Sequence, residues 1–305
     1  MIEMSEKNFC IISDGSCDLP KAVTKEKEIE VVHFPVSFDG KEYKKEGVEI
    51  ELDEFYQRMV DEPKTYPMTA APSPQDFYEC FEKRAKEGTD ILCICISTKL
   101  SSSLQSAGIA KEILAETYPD IRVELLDSLS CTLMQGAYVL EVCRLRDAGH
   151  TLDETVSVMK QLIASGRILF TVGNLDYLHH GGRIGKVTSI AGTLMNLKPL
   201  ITLENGEIHS SGIKRGRKSS LVGVIDLLIT YLQEHNCTPD DCTILIGYCH
   251  DKKEAETFQK MTSERLGKVF GTTAVLPLCQ IGATIGVHAG PYSIGYGIIR
   301  RSDRI

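Results

Sequence analysis

The sequence predicts an α/β protein of two domains, and three observations support this fold class. Apolar, strand-like runs alternate with helical patterns through the first half of the 305 residues. The second half contains a hairpin signature, and no low-complexity linker separates the two halves. Alternating strands and helices are typical of a largely parallel sheet covered by helices on both faces, whereas hairpins indicate antiparallel pairing. We therefore predict a Rossmann-like α/β/α domain over residues 1–165 and a mainly antiparallel α/β domain over residues 166–305.

The elements of the first half follow from apolar periodicity and from end signals. Strands are predicted at FCIIS, VVHFPVSF, DILCICIS and IRVELLDS. Helices are predicted at DEFYQRMVDE, SPQDFYECFEKRAKEG, SLQSAGIAKEILAETYP, CTLMQGAYVLEVCRLRDAG and TLDETVSVMKQLIASG. Ser73 or Pro74 starts the second of these helices, and Gly88 ends it. Because ligands bind beyond the carboxyl ends of parallel strands, we expect the polar segments 13–16, 97–103 and 127–130 to meet in one crevice.

The second half contains a hairpin, an amphipathic helix and further strands. Asn205 and Gly206 form the turn signal in KPLITLENGEIHSSGIKRG. The helix SSLVGVIDLLITYLQEH places five apolar side chains on one face, namely Leu221, Val224, Ile225, Leu228 and Leu232. Strands are expected at CTILIGYCH and AVLPLCQI. The two domains should pack closely, since the chain between them is short.

Composition excludes several classes of protein. The content of 42% hydrophobic and 25% charged residues is typical of a globular protein. Its net charge of −8 argues against nucleic-acid binding, which usually requires a basic face. The eleven cysteines include no CxxC pair and no zinc-type spacing with histidine, so we expect buried, reduced thiols, no metal and no cofactor. The amino-terminal residues lack the apolar core of a signal peptide, which favours a cytoplasmic location.

Nucleotide-binding and hydrolase motifs are not found. The segment LHHGGRIGK lacks the spacing of a phosphate-binding P-loop, and no GxGxxG opens a helix. No GxSxG elbow accompanies the serines. His179 and His180 are adjacent and therefore make a poor chelate. His288 lies among small and apolar residues, and it can be either a buried structural group or a functional one.

Three consecutive serines, Ser101, Ser102 and Ser103, stand where a buried strand turns into a helix. One serine suffices to cap a helix, so the others suggest an anion site at the helix start. The uncharged segment 187–197 follows Arg183 in a glycine-rich turn and carries Ile190 and Leu194 at helical spacing. Core packing is the default explanation of such a stripe, but an apolar wall beside a cation would also suit an amphipathic ligand.

A basic cluster lies in the second half. The segment IKRGRKSS carries Lys214, Arg215, Arg217 and Lys218 within five positions. It can be a solvated turn or a docking patch for a partner with acidic character. The sequence leaves both interpretations open.

Nine segments, in this order, resemble the DegV family of bacterial fatty-acid-binding proteins, which includes the binding subunits of fatty acid kinase. They are IISDGSCDLP, VVHFPVSFDGKEY, MTAAPSPQDF, ISTKLSSSLQSA, LLDSLSCTLMQGA, LDYLHHGGRIGK, NLKPLITLENGEI, IKRGRKS and GVHAGP. The resemblance covers nearly the whole chain. It implies two α/β domains that hold a fatty acid between them, with a separate ATP-binding subunit that phosphorylates the carboxylate to an acyl phosphate.

The resemblance also implies roles for individual residues. Thr69 and Ser101 match the residues that grip the carboxylate, Arg183 matches the arginine of GGRIG, and His288 matches the histidine before GP. The family's TSxPS and SGT motifs stand here as TAAPS and as three serines, so Ala70 and Ser102 depart from the pattern. Ser102 and Ser103 join the expected head-group site, and Ile190 and Leu194 its apolar wall.

We therefore expect a cytoplasmic, non-enzymatic carrier that buries a long-chain fatty acid and presents its carboxylate to a partner kinase. Arg183, Lys214, Arg215 and Arg217 are the expected docking residues, and contact with a membrane would be transient. Two alternatives remain. One is a serine-dependent lipid hydrolase or acyltransferase that uses Ser101 with His288, and the other is a lipid sensor that acts without a kinase.

Overall fold

The computed structural model describes residues 9–185 and 196–304. The strands are β1 (Cys10–Asp14), β2 (Ile29–Val32), β3 (Pro35–Ser37), β4 (Lys44–Lys45), β5 (Met68–Thr69), β6 (Ile91–Cys95), β7 (Val123–Asp127), β8 (Arg167–Thr171), β9 (Leu197–Glu204), β10 (Glu207–Arg215), β11 (Cys242–Tyr248), β12 (Leu278–Gln280) and β13 (Ile294–Arg300). The α-helices are α1 (Lys21–Glu26), α2 (Leu52–Asp61), α3 (Pro74–Ala85), α4 (Ser103–Thr117), α5 (Thr132–Asp147), α6 (Leu152–Leu162), α7 (Asp176–His180), α8 (Arg217–Glu234), α9 (Lys252–Phe270) and α10 (Ala283–Ala289).

The first half contains a four-stranded sheet in which all neighbouring strands run parallel, in the order β2–β1–β6–β7. Every residue of β6 is buried, which explains its unbroken apolar sequence ILCIC. Ser73 caps α3 through a reciprocal pair of hydrogen bonds with Asp76, as its position before Pro74 predicted. The predicted parallel sheet is confirmed.

The second half contains a six-stranded sheet in the order β10–β9–β8–β13–β11–β12. Its strand pairs are antiparallel except the edge pair β11–β12. Asn205 and Gly206 have φ values of 51° and 76°, as a two-residue turn between β9 and β10 requires. The predicted α/β fold with a mainly antiparallel second sheet is confirmed, while the division at residue 165 stays a prediction.

Two predicted strands are wrong in extent. The run VVHFPVSF is not one strand, because β2 ends at Val32 in the parallel sheet and β3 begins at Pro35 in a separate sheet of order β4–β3–β5. Proline has no N–H to donate within a ladder but is tolerated at the first position of a strand, so a new strand begins at Pro35. Likewise, AVLPLCQI forms a strand only over Leu278–Gln280, after Pro277.

Helix α5 lies between the two large sheets, and its side chains are buried on all sides over most of its length. One hydrophobic cluster contains Leu92 from the parallel sheet, Tyr138 from α5 and Ile299 from the six-stranded sheet. Burial on all sides is expected of a helix in such a central position. The two halves therefore share a core and form a joint wall around the site described below. Over residues 9–185 and 196–304, no helix combines the length and apolar character needed to cross a bilayer.

Candidate ligand-binding site

A cavity of about 160 Å³ lies between the edge of the parallel sheet and the inner face of the six-stranded sheet. Its wall is predominantly apolar and includes Phe34, Ile96, Leu100, Leu133, Ile168, Phe170, Leu178, Leu203, Ile208, Ile281, Ile285 and Ile294. Hydroxyl, imidazole and guanidinium groups also line it, from Thr69, Ser101, Ser102, Thr132, Arg183, Thr284, His288 and Ser293. A lining with a large apolar wall and a few polar groups suits an elongated ligand that has a polar head and an apolar body.

The structure brings Thr69, Ser101, Arg183 and His288 together, although they lie far apart in the sequence. Thr69 Oγ1 is 3.4 Å from His288 Nε2. Arg183 donates hydrogen bonds from Nε and Nη2 to the carbonyl oxygen of Leu100, at 3.3 and 3.1 Å, which places its charge beside Ser101. A cation and hydroxyl donors in one place form a binding site for a carboxylate.

His288 is largely buried near the end of α10. Burial, and secondarily the Arg183 charge, lower the pKa of His288 to about 4, so the imidazole is neutral at pH 7. Its Nδ1 has no hydrogen-bond partner among the described residues, and a side chain at Gly181 would collide with this atom. In the tautomer with the proton on Nε2, the neutral ring donates toward Thr69 and the cavity.

The three serines have different roles. Ser103 Oγ donates to the carboxylate of Asp14 at 2.6 Å, and that carboxylate also accepts from Ile96 N at 2.9 Å and from Gln135 Nε2 at 2.8 Å. The backbone N–H of Ser103 donates to Ser101 Oγ at 3.2 Å. Ser103 is therefore a structural anchor and is not among the cavity-lining residues, whereas Ser101 and Ser102 are.

The polar segments at the sheet edge meet as expected. Ser97 N donates to Ser130 O at 2.7 Å, and Thr98 Oγ1 donates to the carboxylate of Asp127 at 2.6 Å. Asp14 and Gln135 hold the serine turn. Asp14 belongs to the segment 13–16 that was expected in this crevice, whereas no sequence pattern pointed to Gln135. The position of Asp14 at the carboxyl end of a predicted strand was the signal for that expectation.

The remaining expected site residues lie elsewhere. Ile190 and Leu194 are outside the described residues. Lys214 and Arg215 are exposed at the end of β10. Arg217, at the start of α8, instead forms a two-oxygen ion pair with Glu254, with Nε–O distances of 2.9 and 3.1 Å. None of these three basic residues lines the cavity, whereas Arg183 does.

The nature of the protein follows from comparison with known families. The model of the family described as "Uncharacterised protein, DegV family COG1307" matches residues 8–301. The chain belongs to the DegV family. A DegV domain-containing protein of Caldanaerobacter subterraneus is 32% identical over 289 residues, covering 95% of this chain and 98% of the relative. The resemblance of the nine segments is thus confirmed at the level of the family.

Solved DegV structures match the whole fold. A stearic-acid-binding protein of Eubacterium ventriosum is 37% identical, covers 97% of this chain and 100% of its own, and superposes with a TM-score of 0.90. A DegV family protein of Thermus thermophilus, described by its fatty acid binding, is 27% identical, with a TM-score of 0.82 and coverage of 96% and 99%. DegV proteins therefore include fatty-acid-binding members with this architecture. Among the described residues, no group of three or more His, Cys, Asp or Glu side chains is arranged to hold a metal ion.

Proposed function

We propose that this protein binds a long-chain fatty acid in the cavity and holds its carboxylate at Thr69, Ser101 and His288, beside Arg183. The observation that carries the proposal is the composition of the lining, an apolar wall with hydroxyl and imidazole groups gathered near one cation. The fatty acid binding of the similar Eubacterium and Thermus proteins supports it.

The energetics are consistent with a long acyl chain. Burying about 16 carbons gains roughly 12 kcal/mol before the loss of translational and conformational freedom is subtracted. An ionised carboxylate in an apolar slot would be unfavourable without donors. Thr69, Ser101 and His288 supply such donors, and Ser102 lies next to them at the helix start.

Mass spectrometry of the purified protein tests the proposal directly. A native spectrum and a solvent extract should show one fatty acid per chain, or uptake of added stearic acid by an empty protein. A protein that contains no fatty acid and takes up none would refute the proposal. The length and unsaturation of the retained acid would identify the ligand.

We further propose that the bound carboxylate is presented in the cytoplasm to an ATP-dependent kinase subunit, which forms the acyl phosphate. Phosphoryl transfer depends mainly on positioning and electrostatics, so the carrier needs no nucleophile of its own. Arg183 at the cavity and exposed Lys214 and Arg215 are the residues we assign to docking. Arg217 is assigned a smaller part, because Glu254 already neutralises it.

Charge reversal of the exposed cations should separate docking from ligand binding. We expect Lys214→Glu with Arg215→Glu to lower the initial rate of acyl phosphate formation by about tenfold or more, because electrostatic complementarity governs association rates. The product is trapped as a hydroxamate, and the fatty acid content should be unchanged. Lys160→Glu, on α6, is the control. If the double variant forms acyl phosphate at the wild-type rate, the end of β10 is not part of the docking interface. If the wild-type protein yields no acyl phosphate with any kinase, the sensor alternative is favoured.

The hydrolase alternative has less support. His288 Nε2 lies near Thr69, and its Nδ1 has no carboxylate partner among the described residues to orient the ring as a catalytic base. Labelling of Ser101 by a fluorophosphonate would revive this alternative.

A further inference from the structure

Helix α10 carries His288 near its end, and side chains from the first half of the chain hold its beginning. Glu46 Oε2 accepts a hydrogen bond from Thr284 N at 2.6 Å. Tyr56 Oη, from α2, lies 2.8 and 3.0 Å from the carbonyl oxygens of Ile281 and Gly282, within hydrogen-bonding distance of both. Glu46 is 4% exposed and Tyr56 is fully buried, so these contacts cross the junction out of water.

A second carboxyl group lies against the same turn. Asp18 Oδ1 and Glu46 Oε1 are 2.5 and 3.2 Å from the point where a Cβ on Gly282 would stand. The other oxygen of Asp18 accepts from Thr132 Oγ1 at 2.6 Å, and Oδ1 faces the backbone of Gly282. Only a glycine leaves room for two carboxyl groups at this turn. Like charges at such close range, away from water, oppose each other's ionisation.

These contacts also border the proposed ligand. Thr132 and Thr284, the partners of Asp18 and Glu46, both line the cavity. Asp18 and Glu46 themselves line a second cavity of about 960 Å³, through which protons can exchange with solvent. The carboxyl pair therefore lies between the ligand and a route for protons.

We propose that Glu46 is a positioning residue for His288: its neutral carboxyl is buried against the start of α10 and holds the helix in place, whereas the ionised carboxyl, deprived of water there, favours a hydrated arrangement in which that hold is lost. This inference rests on the proposed binding of a fatty acid. Because His288 contacts the head group, a looser α10 should shorten the residence time of the ligand.

The surrounding groups set the direction of the pH dependence. Those that face Glu46 or its cavity in the described structure are Asp14, Asp18, Lys21, His33, Glu51, Asp53 and Tyr56. Burial raises the pKa of Glu46 to about 7; the hydrogen bonds from Thr284 favour the ionised form and oppose this shift, and the nearby Asp14 charge adds to it. Burial and Glu46 also raise the pKa of Asp18 well above its usual value.

A raised pKa means that the closed arrangement holds the proton more tightly than a hydrated, open one. The stabilisation of the closed arrangement relative to the open one is complete below the ordinary pKa of glutamate. It is lost as the pH rises through about 7. Between pH 6 and 8 the equilibrium should shift toward opening by about tenfold. The lowered pKa of His288, about 4, keeps that ring neutral throughout this range.

The test is the rate at which stearic acid leaves the protein for phosphatidylcholine vesicles, measured at pH 6, 7 and 8. We expect the wild-type rate to rise by up to about tenfold across the series. Glu46→Gln keeps the acceptor for Thr284 but cannot ionise, so its rate should rise much less. Glu51→Gln, an exposed carboxyl on the same second cavity, should keep the wild-type slope.

Tyr56→Phe separates a structural role from the proton-linked one. It removes the hydroxyl that donates to the carbonyl oxygen of Ile281 or Gly282, so release should be faster at every pH with an unchanged slope. A wild-type rate that does not vary with pH, or an equal rise in Glu46→Gln, would overturn the inference while leaving fatty acid binding intact. Failure of every variant and of wild type to hold stearic acid would instead refute the proposed function.

Discussion

Replacing Gly297 with alanine is expected to lower the free energy of unfolding by roughly 3 kcal/mol, the upper end of the usual effect of overpacking. Gly297 lies in β13, at the place where the start of α5 rests on the six-stranded sheet. An added Cβ would overlap the backbone of Leu133 and Met134. Backbone cannot rotate away as a side chain can, so α5 would have to move off the sheet.

The same substitution should affect the ligand. Leu133 and Gly297 both line the cavity, so a displaced α5 changes its shape. We expect reduced retention of fatty acid together with a lower denaturant midpoint in urea or guanidinium. Both measurements use the full chain.

Gly108→Ala is the matched control for Gly297→Ala. Gly108 lies inside α4, and a Cβ there would meet nothing within 4 Å. Alanine is favoured over glycine in a helix interior, so this variant should gain about 0.5–1 kcal/mol of stability. Equal midpoints for Gly297→Ala and wild type would show that α5 does not pack against β13 as closely as described.

Removing the head-group hydroxyls is expected to produce the largest loss of ligand affinity. A hydrogen bond to a charged group is worth about 1.5–3 kcal/mol, which corresponds to roughly 10- to 100-fold in affinity. Thr69→Val and Ser101→Ala should each weaken binding of stearic acid within that range. The double variant should retain little fatty acid after purification.

The combined effect is informative because both hydroxyls would contact one carboxylate. Neighbouring groups that share a partner usually give non-additive effects, so the double variant should lose less than the product of the single losses. Ser106→Ala, on α4 but not among the cavity-lining residues, is the control. If both single variants bind stearic acid as tightly as wild type, the carboxylate lies elsewhere in the cavity.

Much of the fold could be predicted because its elements have strong local signals. The apolar runs of β1, β6 and β7, the capping serine of α3 and the Asn205-Gly206 turn each specify structure over a few residues. Helix α10 lacks such signals, since its seven residues are small, apolar or histidine and carry no side-chain cap. Its position depends on Tyr56 and Glu46, more than 200 residues earlier in the chain.

The candidate site divides in the same way. Sequence patterns were enough to predict the fold class, the family and the cluster of hydroxyls at the carboxyl edge of the parallel sheet. Three contacts became visible only in the folded chain: Ser103 anchors Asp14, Arg217 pairs with Glu254, and Asp18 and Glu46 converge on Gly282. Local patterns record which backbone conformation a segment favours, whereas the partner of a buried polar group is set by the packing of distant segments and by the absence of water between them.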